Sequence, residues 1–450
     1  MRAFFLFSIS LLLVISGDVH SLDTDKSKQL FTTDRSAKAL SHPHAGLDNN
    51  SLDQFTLGRS FFTIPWVEAP AATTARDGLG PLFNANSCAG CHPNNGGGAA
   101  STHGGKALDR SIVIQLAQAS NRALPDMNKP HHQADPIYGY QLAINGTRRV
   151  PFEGQVDVTV ETHAFTYPDS EQVTLLKPHF TLTQLNYGPL TAGTILKPRR
   201  APALVGMGLI EDIPAAQILL RQDETDRNAD GISGKANWVY SPETNKKTLG
   251  RFGWQATTTS VTEQTGNALH HDMGLTNPVF PHENCSAAQK ACNSAYKSKE
   301  LDVPKPRLLA ISHYLKHLRV PRARARTTSK GRQLFVSTGC QACHQIGYTT
   351  ATGILANPYS DFLLHDMGSA LAEGNGSEHG TITEWRTSPL WGLGLARTLN
   401  PEAGYLHDGR ALTIEQAILW HGGEAQSARD HFIHLNKNER TVLLSFLETL

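Results

Sequence analysis

The chain has 450 residues, and its 41 Lys and Arg against 40 Asp and Glu give a formal net charge of +1 at pH 7. Because basic and acidic residues are almost equal in number, the protein has no overall positive charge that would attract nucleic acid or an anionic membrane surface. The roughly 430 residues that follow the N-terminal segment suffice for two or three domains.

The first 21 residues have the pattern of a secretory signal peptide. Arg2 is followed by an apolar run over residues 3–17, and Val19 and Ser21 place small residues at the spacing of a cleavage site. The run is shorter than the ~18 residues of a membrane span, which disfavours the alternative of an uncleaved anchor. No later segment is apolar enough to cross a bilayer. We therefore expect a periplasmic mature protein with no membrane span.

Two Cys-x-x-Cys-His motifs are the strongest signals in the chain. In this motif the two thiols add to the vinyl groups of a haem, and the adjacent His binds its iron. The residues are Cys88, Cys91 and His92 in the first motif and Cys340, Cys343 and His344 in the second. The alternatives are a redox-active Cys pair or half of a zinc site, but neither motif has a second Cys pair nearby to complete four zinc ligands. The sequence predicts two covalently bound haem c groups.

Between the motifs, residues 109–200 have the alternation of β-strands. Val156, Val158 and Val160 are separated by polar residues, and Gly, Pro and Asn punctuate the segment. Residues 58–62 and 330–335 share a glycine-then-aromatic pattern that resembles the N-terminal helices of cytochrome c domains, and residues 436–450 have apolar residues at helical spacing. We therefore expect a mainly α fold with a strand-rich insertion in the first half.

Two pairs of segments repeat along the chain, which supports a duplication. Residues 200–208 and 386–394 both begin with Arg and continue through a Pro to a Gly-x-Gly turn. The tetrapeptide His-Asp-Met-Gly occurs at residues 271–274 and again at 365–368.

Residues 226–233 fit the first half of a calcium loop. Asp226, Asn228 and Asp230 place oxygen side chains at alternate positions, and Gly231 allows the turn. The twelfth position is Asn237 instead of the Glu of an EF-hand, which disfavours a complete EF-hand. A looser calcium site and an Asx-rich surface turn remain the two interpretations.

The two cysteines outside the haem motifs are Cys285 and Cys292. An oxidising compartment favours a disulfide between them, and the short separation would make its stabilising effect local. The alternative is a redox-active dithiol.

Several segments together resemble a known family. Residues 384–390, 405–410 and 412–417 resemble the C-terminal haem domain of bacterial di-haem cytochrome c peroxidases. From about residue 50 onward the chain is more similar to a branch of that superfamily, the di-haem oxidoreductases often labelled thiol oxidoreductases. The segments that carry this likeness are residues 80–85, 209–214, 250–254, both His-Asp-Met-Gly repeats and residues 420–424.

The resemblance implies two cytochrome c-like haem domains. The N-terminal one would span residues 45–325, including the strand-rich insertion and a connecting region, and the C-terminal one residues 326–450. In the peroxidases calcium lies between the haem domains, which favours the calcium interpretation of residues 226–233.

For the C-terminal haem, the family's distal ligand, commonly Met, matches His421 in this chain. An imidazole in place of a thioether should lower the reduction potential of that haem. We expect His344 and His421 to bracket the C-terminal iron. Met367 is the rival ligand, and a hydrogen bond from His421 to a haem propionate is the alternative role.

For the N-terminal haem, no convincing second ligand is evident. His103, His131 and His132 all lie in Gly-rich, Pro-rich or polar segments, so we expect an open sixth position, as a catalytic haem requires. Glu211 matches the region of the peroxidases' catalytic Glu and would move a proton during peroxide cleavage. The alternative is that Glu211 and Asp212 cap the helix that begins near Pro214.

The resemblance implies a peroxidase-like oxidoreductase. A small donor protein, a cytochrome or a cupredoxin, would reduce the C-terminal haem, and electrons would pass to the open N-terminal haem, where peroxide or another small oxidant reacts. The alternatives are a di-haem electron-transfer cytochrome without a substrate, and a thiol oxidoreductase that uses Cys285 and Cys292. The family's loop around His407 and Asp408 is expected to pack beside the haem, and a packing role is likewise expected for His271 and His365.

Overall fold

The computed structural model describes residues 25–103, 111–118, 134–324, 329–373 and 383–450. The expected signal peptide, the side chain of His103, and His131 and His132 lie outside the described residues. Over the described ranges, no helix is both long and apolar enough to cross a membrane.

Short helices are distributed over the whole described chain. They are α1 (Asp25–Leu30), α2 (Asn49–Thr63), α3 (Cys88–Cys91), α4 (Met207–Glu211), α5 (Ala215–Leu219), α6 (Val261–Met273), α7 (Lys290–Asn293), α8 (Lys305–Lys316), α9 (Ser329–Ser337), α10 (Ala396–Leu399), α11 (Ile414–Leu419), α12 (Gln426–His434) and α13 (Lys437–Leu447).

The strands pair two by two into separate ribbons. They are β1 (Phe31–Thr32), β2 (Leu82–Phe83), β3 (Ile112–Gln118), β4 (Asn145–Gly146), β5 (Gln155–Thr166), β6 (Gln172–Thr183), β7 (Thr194–Arg200), β8 (Trp238–Ser241), β9 (Lys246–Leu249), β10 (Val320–Pro321), β11 (Tyr348–Thr349), β12 (Leu355–Ala356), β13 (Leu364–Asp366) and β14 (Glu384–Arg386). β1 and β10 run parallel, whereas β2–β4, β3–β7, β5–β6, β8–β9, β11–β12 and β13–β14 are antiparallel.

The expectation of a mainly α fold is wrong. Of the described residues, 30% are helical and 20% are in strands, with many small sheets, so the structure is mixed α/β and not clearly a pair of mainly α cytochrome domains. The long strands β3, β5, β6 and β7 fall where alternation predicted them. The strand content that the sequence did not predict comes from ribbons such as β11–β12 and β13–β14. Their strands of two or three residues are too short for alternation to be visible in the sequence.

Helices α2 and α8 pack closely against each other beside the first haem motif. Gly58 permits the close approach, since a Cβ there would lie 1.9 Å from the carbonyl oxygen of Ala310. The Phe62 ring packs 5.3 Å from Tyr314 and 6.5 Å from His92. The helix and its inward aromatic, both predicted from the sequence, thus lie at the first motif.

Helices α9 and α13 form a comparable pair beside the second motif. Phe335 of α9 packs on Phe446 of α13 with ring centroids 5.5 Å apart. The N-terminus of α13 has a capping box between Asn436 and Glu439, which satisfies backbone donors that would otherwise be unpaired. Both predicted helices are therefore confirmed, whereas the domain boundary near residue 325 stays a prediction.

The β5–β6 hairpin reaches across to the C-terminal part of the chain. Its turn is held by Arg440 of α13, whose Nη2 lies 2.7 Å from carboxylate oxygens of both Asp169 and Glu171. The Arg440 guanidinium also lies 3.9 Å from the ring centroid of Tyr167, and the Tyr167 hydroxyl donates to Glu415 over 2.8 Å. The strand-rich segment is therefore packed against the second haem motif's helices.

Cys285 and Cys292 form a disulfide, which confirms the pairing expected from the sequence. Their Cα atoms are 5.7 Å apart; Cys292 is fully buried, and Cys285 is partly buried. Burial of Cys292 restricts attack on its sulfur atom, because thiol exchange requires access to the sulfur.

Candidate functional site

Both Cys-x-x-Cys-His motifs line one cavity of about 780 Å³. Its wall includes all six motif residues, Cys88, Cys91, His92, Cys340, Cys343 and His344. The four cysteines are thiols and are not joined to each other as disulfides. Two motifs separated by some 250 residues of sequence thus line a single cavity.

The first motif is positioned by α3 and a distant loop. The Ser87 hydroxyl caps α3 by accepting from the backbone N–H of Gly90. His92 donates its Nδ1–H to the carbonyl of Pro202 over 2.9 Å, which leaves Nε2 as the basic atom of the ring. Burial, first of all, lowers the pKa of His92 to about 4. The ring is therefore a neutral imidazole suited to bind a metal.

In the second motif the histidine is also held by a backbone carbonyl, but from a different residue. Gly339, at φ 90°, makes the turn into Cys340. His344 donates its Nδ1–H to the carbonyl of Tyr359 over 2.8 Å, and burial lowers its pKa to about 4. The nearby imidazole of His421 lowers that pKa further.

His421 lies on the cavity wall just after α11. Its Nδ1–H donates to the carbonyl of Ala417, one helical turn earlier, over 2.8 Å, and burial lowers its pKa. Nε2 of His421 is therefore left for a ligand, as in the two motif histidines. Met367, the rival ligand, also lines the cavity. The structure thus brings both candidates to the C-terminal site.

The donor set fits two haems. Each motif presents two thiols and one neutral imidazole to the same cavity, and each imidazole is fixed through Nδ1 by a backbone carbonyl. Around His92, the charged group that acts on its pKa is Arg200, and no second imidazole among the described residues does so. The two ends of the cavity therefore differ in the groups that face the motif histidine.

The structure places Glu211 away from the lining of the cavity. Its carboxylate lies 2.6 Å from Nζ of Lys316 and accepts the backbone N–H of Val261, the first residue of α6, over 2.7 Å. Glu211 therefore caps α6, a different helix from the one proposed as the alternative. Asp212 instead accepts from the backbone and hydroxyl of Thr352.

Asp272 is a cavity-lining carboxyl that sequence reasoning missed. It accepts from the Gln141 side chain over 2.7 Å, and burial raises its pKa to about 6. Its charge acts on the Cys88 thiol, which places it at the N-terminal end of the cavity. Met207 and Met273 also line the wall. The signal in the sequence that could have identified Asp272 and Met273 is the repeated His-Asp-Met-Gly segment, since Met367 of the second copy is itself a candidate ligand.

His365, from the second His-Asp-Met-Gly segment, lies between two carboxylates beside Cys343. Its Nε2 is 2.9 Å from Asp361 and its Nδ1 is 2.7 Å from Glu424. Burial opposes protonation, but hydrogen bonds to Asp361, Cys343 and Glu424 outweigh it and raise the pKa of His365 to about 12. Because carboxylates occupy both ring nitrogens, the cluster is a buried ion network.

His407 and Asp408 are buried in a second network. The His407 ring stacks on Trp385 at a centroid distance of 3.7 Å, and burial lowers its pKa to about 4. Asp408 accepts from Arg410 over 2.8 Å. His271 packs edge-on against Tyr140. These contacts agree with the packing roles expected for the loop and for His271.

The side-chain oxygens of the acidic loop, residues 226–233, accept hydrogen bonds from within the loop. Asp226 accepts the backbone N–H groups of Asp230 and Gly231, and Asp230 accepts that of Ile232 over 2.9 Å. The Asn228 amide donates to Asp230. This arrangement matches the Asx-rich turn, and the calcium site stays a prediction.

Comparisons with known proteins give one strong match. The family described as "Di-haem oxidoreductase, putative peroxidase" matches residues 19–450. No curated protein matches the chain. A chain from a solved structure of Kuenenia stuttgartiensis hydrazine synthase, pressurised with xenon, is similar at 17% identity, over 56% of this chain and 73% of that chain, with a TM-score of 0.30. A TM-score this low supports no conclusion here. The family match spans the whole described site, and the chain belongs to the di-haem oxidoreductase family.

Proposed function

We propose that the protein is a periplasmic, peroxidase-like oxidoreductase with two covalently bound haem c groups. Cys88 and Cys91 would attach one haem and Cys340 and Cys343 the other, with His92 and His344 as iron ligands. When bound, the haems would supply the redox chemistry, with electrons from a small donor protein entering at the C-terminal haem and a small oxidant such as peroxide reacting at the N-terminal one.

The observation that carries this proposal is the asymmetry of the one cavity. At the C-terminal end His344 and His421 both line the cavity, and Nδ1 of each is bound to a backbone carbonyl, which leaves both Nε2 atoms for a ligand. At the N-terminal end the neighbouring charge on His92 is a guanidinium, which cannot ligate iron. A site with two imidazoles suits electron transfer, whereas a site with one suits substrate access.

Peroxide reduction also requires a group that moves protons. Glu211 is committed to Lys316 and to the N-terminus of α6, so its position does not support the role that the resemblance assigns to it. Asp272 lines the cavity at the N-terminal end, and burial holds its pKa near the working pH of an acid–base group. We assign the proton-moving role to Asp272, oriented by Gln141.

A second candidate function, electron transfer without a substrate, is favoured by Met207 and Met273. Both thioethers line the cavity, and either one would close the N-terminal site if it served as the sixth ligand. Thiol oxidation is disfavoured, because neither Cys285 nor Cys292 lines the cavity and Cys292 is fully buried.

Electron paramagnetic resonance of the fully oxidised protein separates these functions. The proposal predicts one low-spin signal and one signal with a high-spin fraction, and the high-spin fraction should change on addition of peroxide. Steady-state reduction of peroxide with a reduced small cytochrome or cupredoxin should accompany it. Two fully low-spin signals that peroxide leaves unchanged would instead establish the electron-transfer function.

A further inference from the structure

The cavity wall carries several cations, and most of them are already neutralised or saturated. Arg199 forms a buried ion pair with Glu373, and Arg429 pairs with Asp430 over 3.1 Å. Arg251 donates to the carbonyl groups of Ile210, Glu211 and Ile213, which uses its guanidinium to close α4. Arg199 and Arg429 are therefore neutralised by carboxylates, and Nη1 of Arg251 is held by backbone carbonyls.

Arg200 is different from Arg199 and Arg429, because it is buried and forms no ion pair with a described carboxylate. Burial lowers its pKa, and the charge of Asp408 only partly opposes that effect. Its side chain is 7% exposed, and its Nε and Nη1 donate to the carbonyls of Leu406 and Ala201, each over 3.1 Å. No protein acceptor is found for Nη2 among the described residues. Burying a guanidinium without a paired anion costs free energy, and binding an anion beside it would offset that cost.

Arg386, its counterpart in the second repeat, has the same pattern. Nε donates to the carbonyl of Gly253 over 2.8 Å and Nη1 to that of Thr387 over 3.2 Å. Within the described ranges, Nη2 again has no protein acceptor. Arg386 also lines the cavity, so the remaining donor group of each arginine is available to a group inside it.

Trp254 links the two arginines. Its Nε1–H donates to the carbonyl of Arg200 over 2.8 Å, and its own carbonyl accepts the backbone N–H of Arg386 over 2.9 Å. The Arg200 guanidinium lies 5.5 Å from the Trp254 ring centroid. The backbones of both arginines are therefore fixed by one residue, which places them on either side of it.

We propose that Arg200 and Arg386 are paired carboxylate-binding residues, Arg200 for a propionate of the N-terminal haem and Arg386 for a propionate of the C-terminal haem. The assignment rests on the two haems of the proposed function. Arg200 immediately precedes the Ala201–Pro202 segment that holds His92, and its charge acts on that ring. Arg386 pairs with Leu364 of β13, next to His365 and the second motif.

The two propionate groups of a haem explain why an arginine would bind it. Each haem brings two carboxylates, and a guanidinium is the side chain best matched to a carboxylate in a buried site. A positive charge held beside a haem disfavours the more positive ferric state, so each arginine should raise the reduction potential of its own haem.

The test compares Arg200→Gln, Arg386→Gln and the control Arg227→Gln, an exposed arginine outside the cavity wall that pairs with Asp223. Midpoint potentials are measured by spectroelectrochemical titration of the haem-loaded protein, and haem content by the pyridine haemochrome assay. We expect Arg200→Gln to lower the potential of the N-terminal haem alone, Arg386→Gln to lower that of the C-terminal haem alone, and Arg227→Gln to change neither.

The outcomes separate this inference from the proposed function. Two haems in every variant with unchanged potentials would overturn the propionate assignment and leave the di-haem function standing. Unchanged potentials with a raised KM for an anionic oxidant would overturn it in favour of a substrate site. A wild-type protein without covalently bound haem would instead overturn the proposed function itself.

Discussion

His92 and Pro202, 110 residues apart in the chain, are joined by a hydrogen bond of 2.9 Å from the imidazole Nδ1–H to the backbone carbonyl. A carbonyl can only accept, so the bond fixes the tautomer and leaves Nε2 for iron. His344 and Tyr359 are joined in the same way over 2.8 Å. Both motif histidines are thus oriented by a backbone carbonyl, and the two sites differ in the other side chains that line the cavity.

His421→Ala should convert the low-spin C-terminal haem to a high-spin form, because it removes the second imidazole that faces His344. The measurement is the low-temperature electron paramagnetic resonance spectrum of the oxidised protein. Met367→Leu is the matched control and should leave the low-spin signal in place. If the two results were reversed, Met367 would be the ligand.

Asp272→Asn should reduce peroxide turnover by about 10²–10⁴-fold with both haems retained, since the amide cannot take up a proton. The comparison is Glu211→Gln, which should keep turnover within about twofold because Glu211 does not line the cavity. That variant should instead lose roughly 1 kcal/mol of stability through the weakened cap and ion pair. Loss of turnover in Glu211→Gln and not in Asp272→Asn would return the catalytic role to Glu211.

Glu424→Gln should destabilise the protein by about 3 kcal/mol at pH 7, because it removes one of the two carboxylates that neutralise buried His365. Burial opposes ionisation of Glu424, but the hydrogen bonds from His365 and Ser233 outweigh it and lower its pKa to about 2. Its stabilisation is therefore complete above pH 4.5 and is lost as the pH falls toward 2.

Denaturant unfolding at pH 7, 5 and 3 checks this expectation. Wild type should lose stability between pH 4.5 and 2 more steeply than Glu424→Gln. The contribution of His365 itself is present below pH 6.5 and is lost only as the pH rises through about 12. Glu448→Gln, an exposed carboxylate near the C-terminus, should change stability by less than about 0.5 kcal/mol. Equal effects of both variants would contradict the buried network.

Arg440→Leu should release the β5–β6 hairpin from α13, because Asp169, Glu171 and Tyr167 all lose their common partner. Amide hydrogen exchange over residues 155–183 should accelerate, with a local loss of about 2–4 kcal/mol. Lys437→Gln removes only an exposed partner of Glu171 and should have little effect. Unchanged exchange in Arg440→Leu would show that apolar packing alone holds the hairpin.

Patterns that are local in the sequence predicted their structures well. The helices beside each motif, the long strands β5 and β6 and the Cys285–Cys292 bridge were all visible as short-range periodicity or composition. The fold class was not visible in such local patterns, because a ribbon such as β13–β14 joins strands of three residues from segments nearly 20 positions apart. Pairing over that distance leaves no periodic signature.

The sequence by itself predicted covalent haem attachment, since Cys-x-x-Cys-His carries its thiols and its imidazole within five consecutive residues. It also nominated His421 through a family pattern. Only the tertiary structure decided which other side chains face the cavity, because burial depends on contacts between distant segments. In the folded chain Glu211 forms an ion pair with Lys316, whereas Asp272, Arg200 and Arg386 line the cavity. A charged group acquires a functional role from the dielectric and the partners around it, and those exist only once the chain has folded.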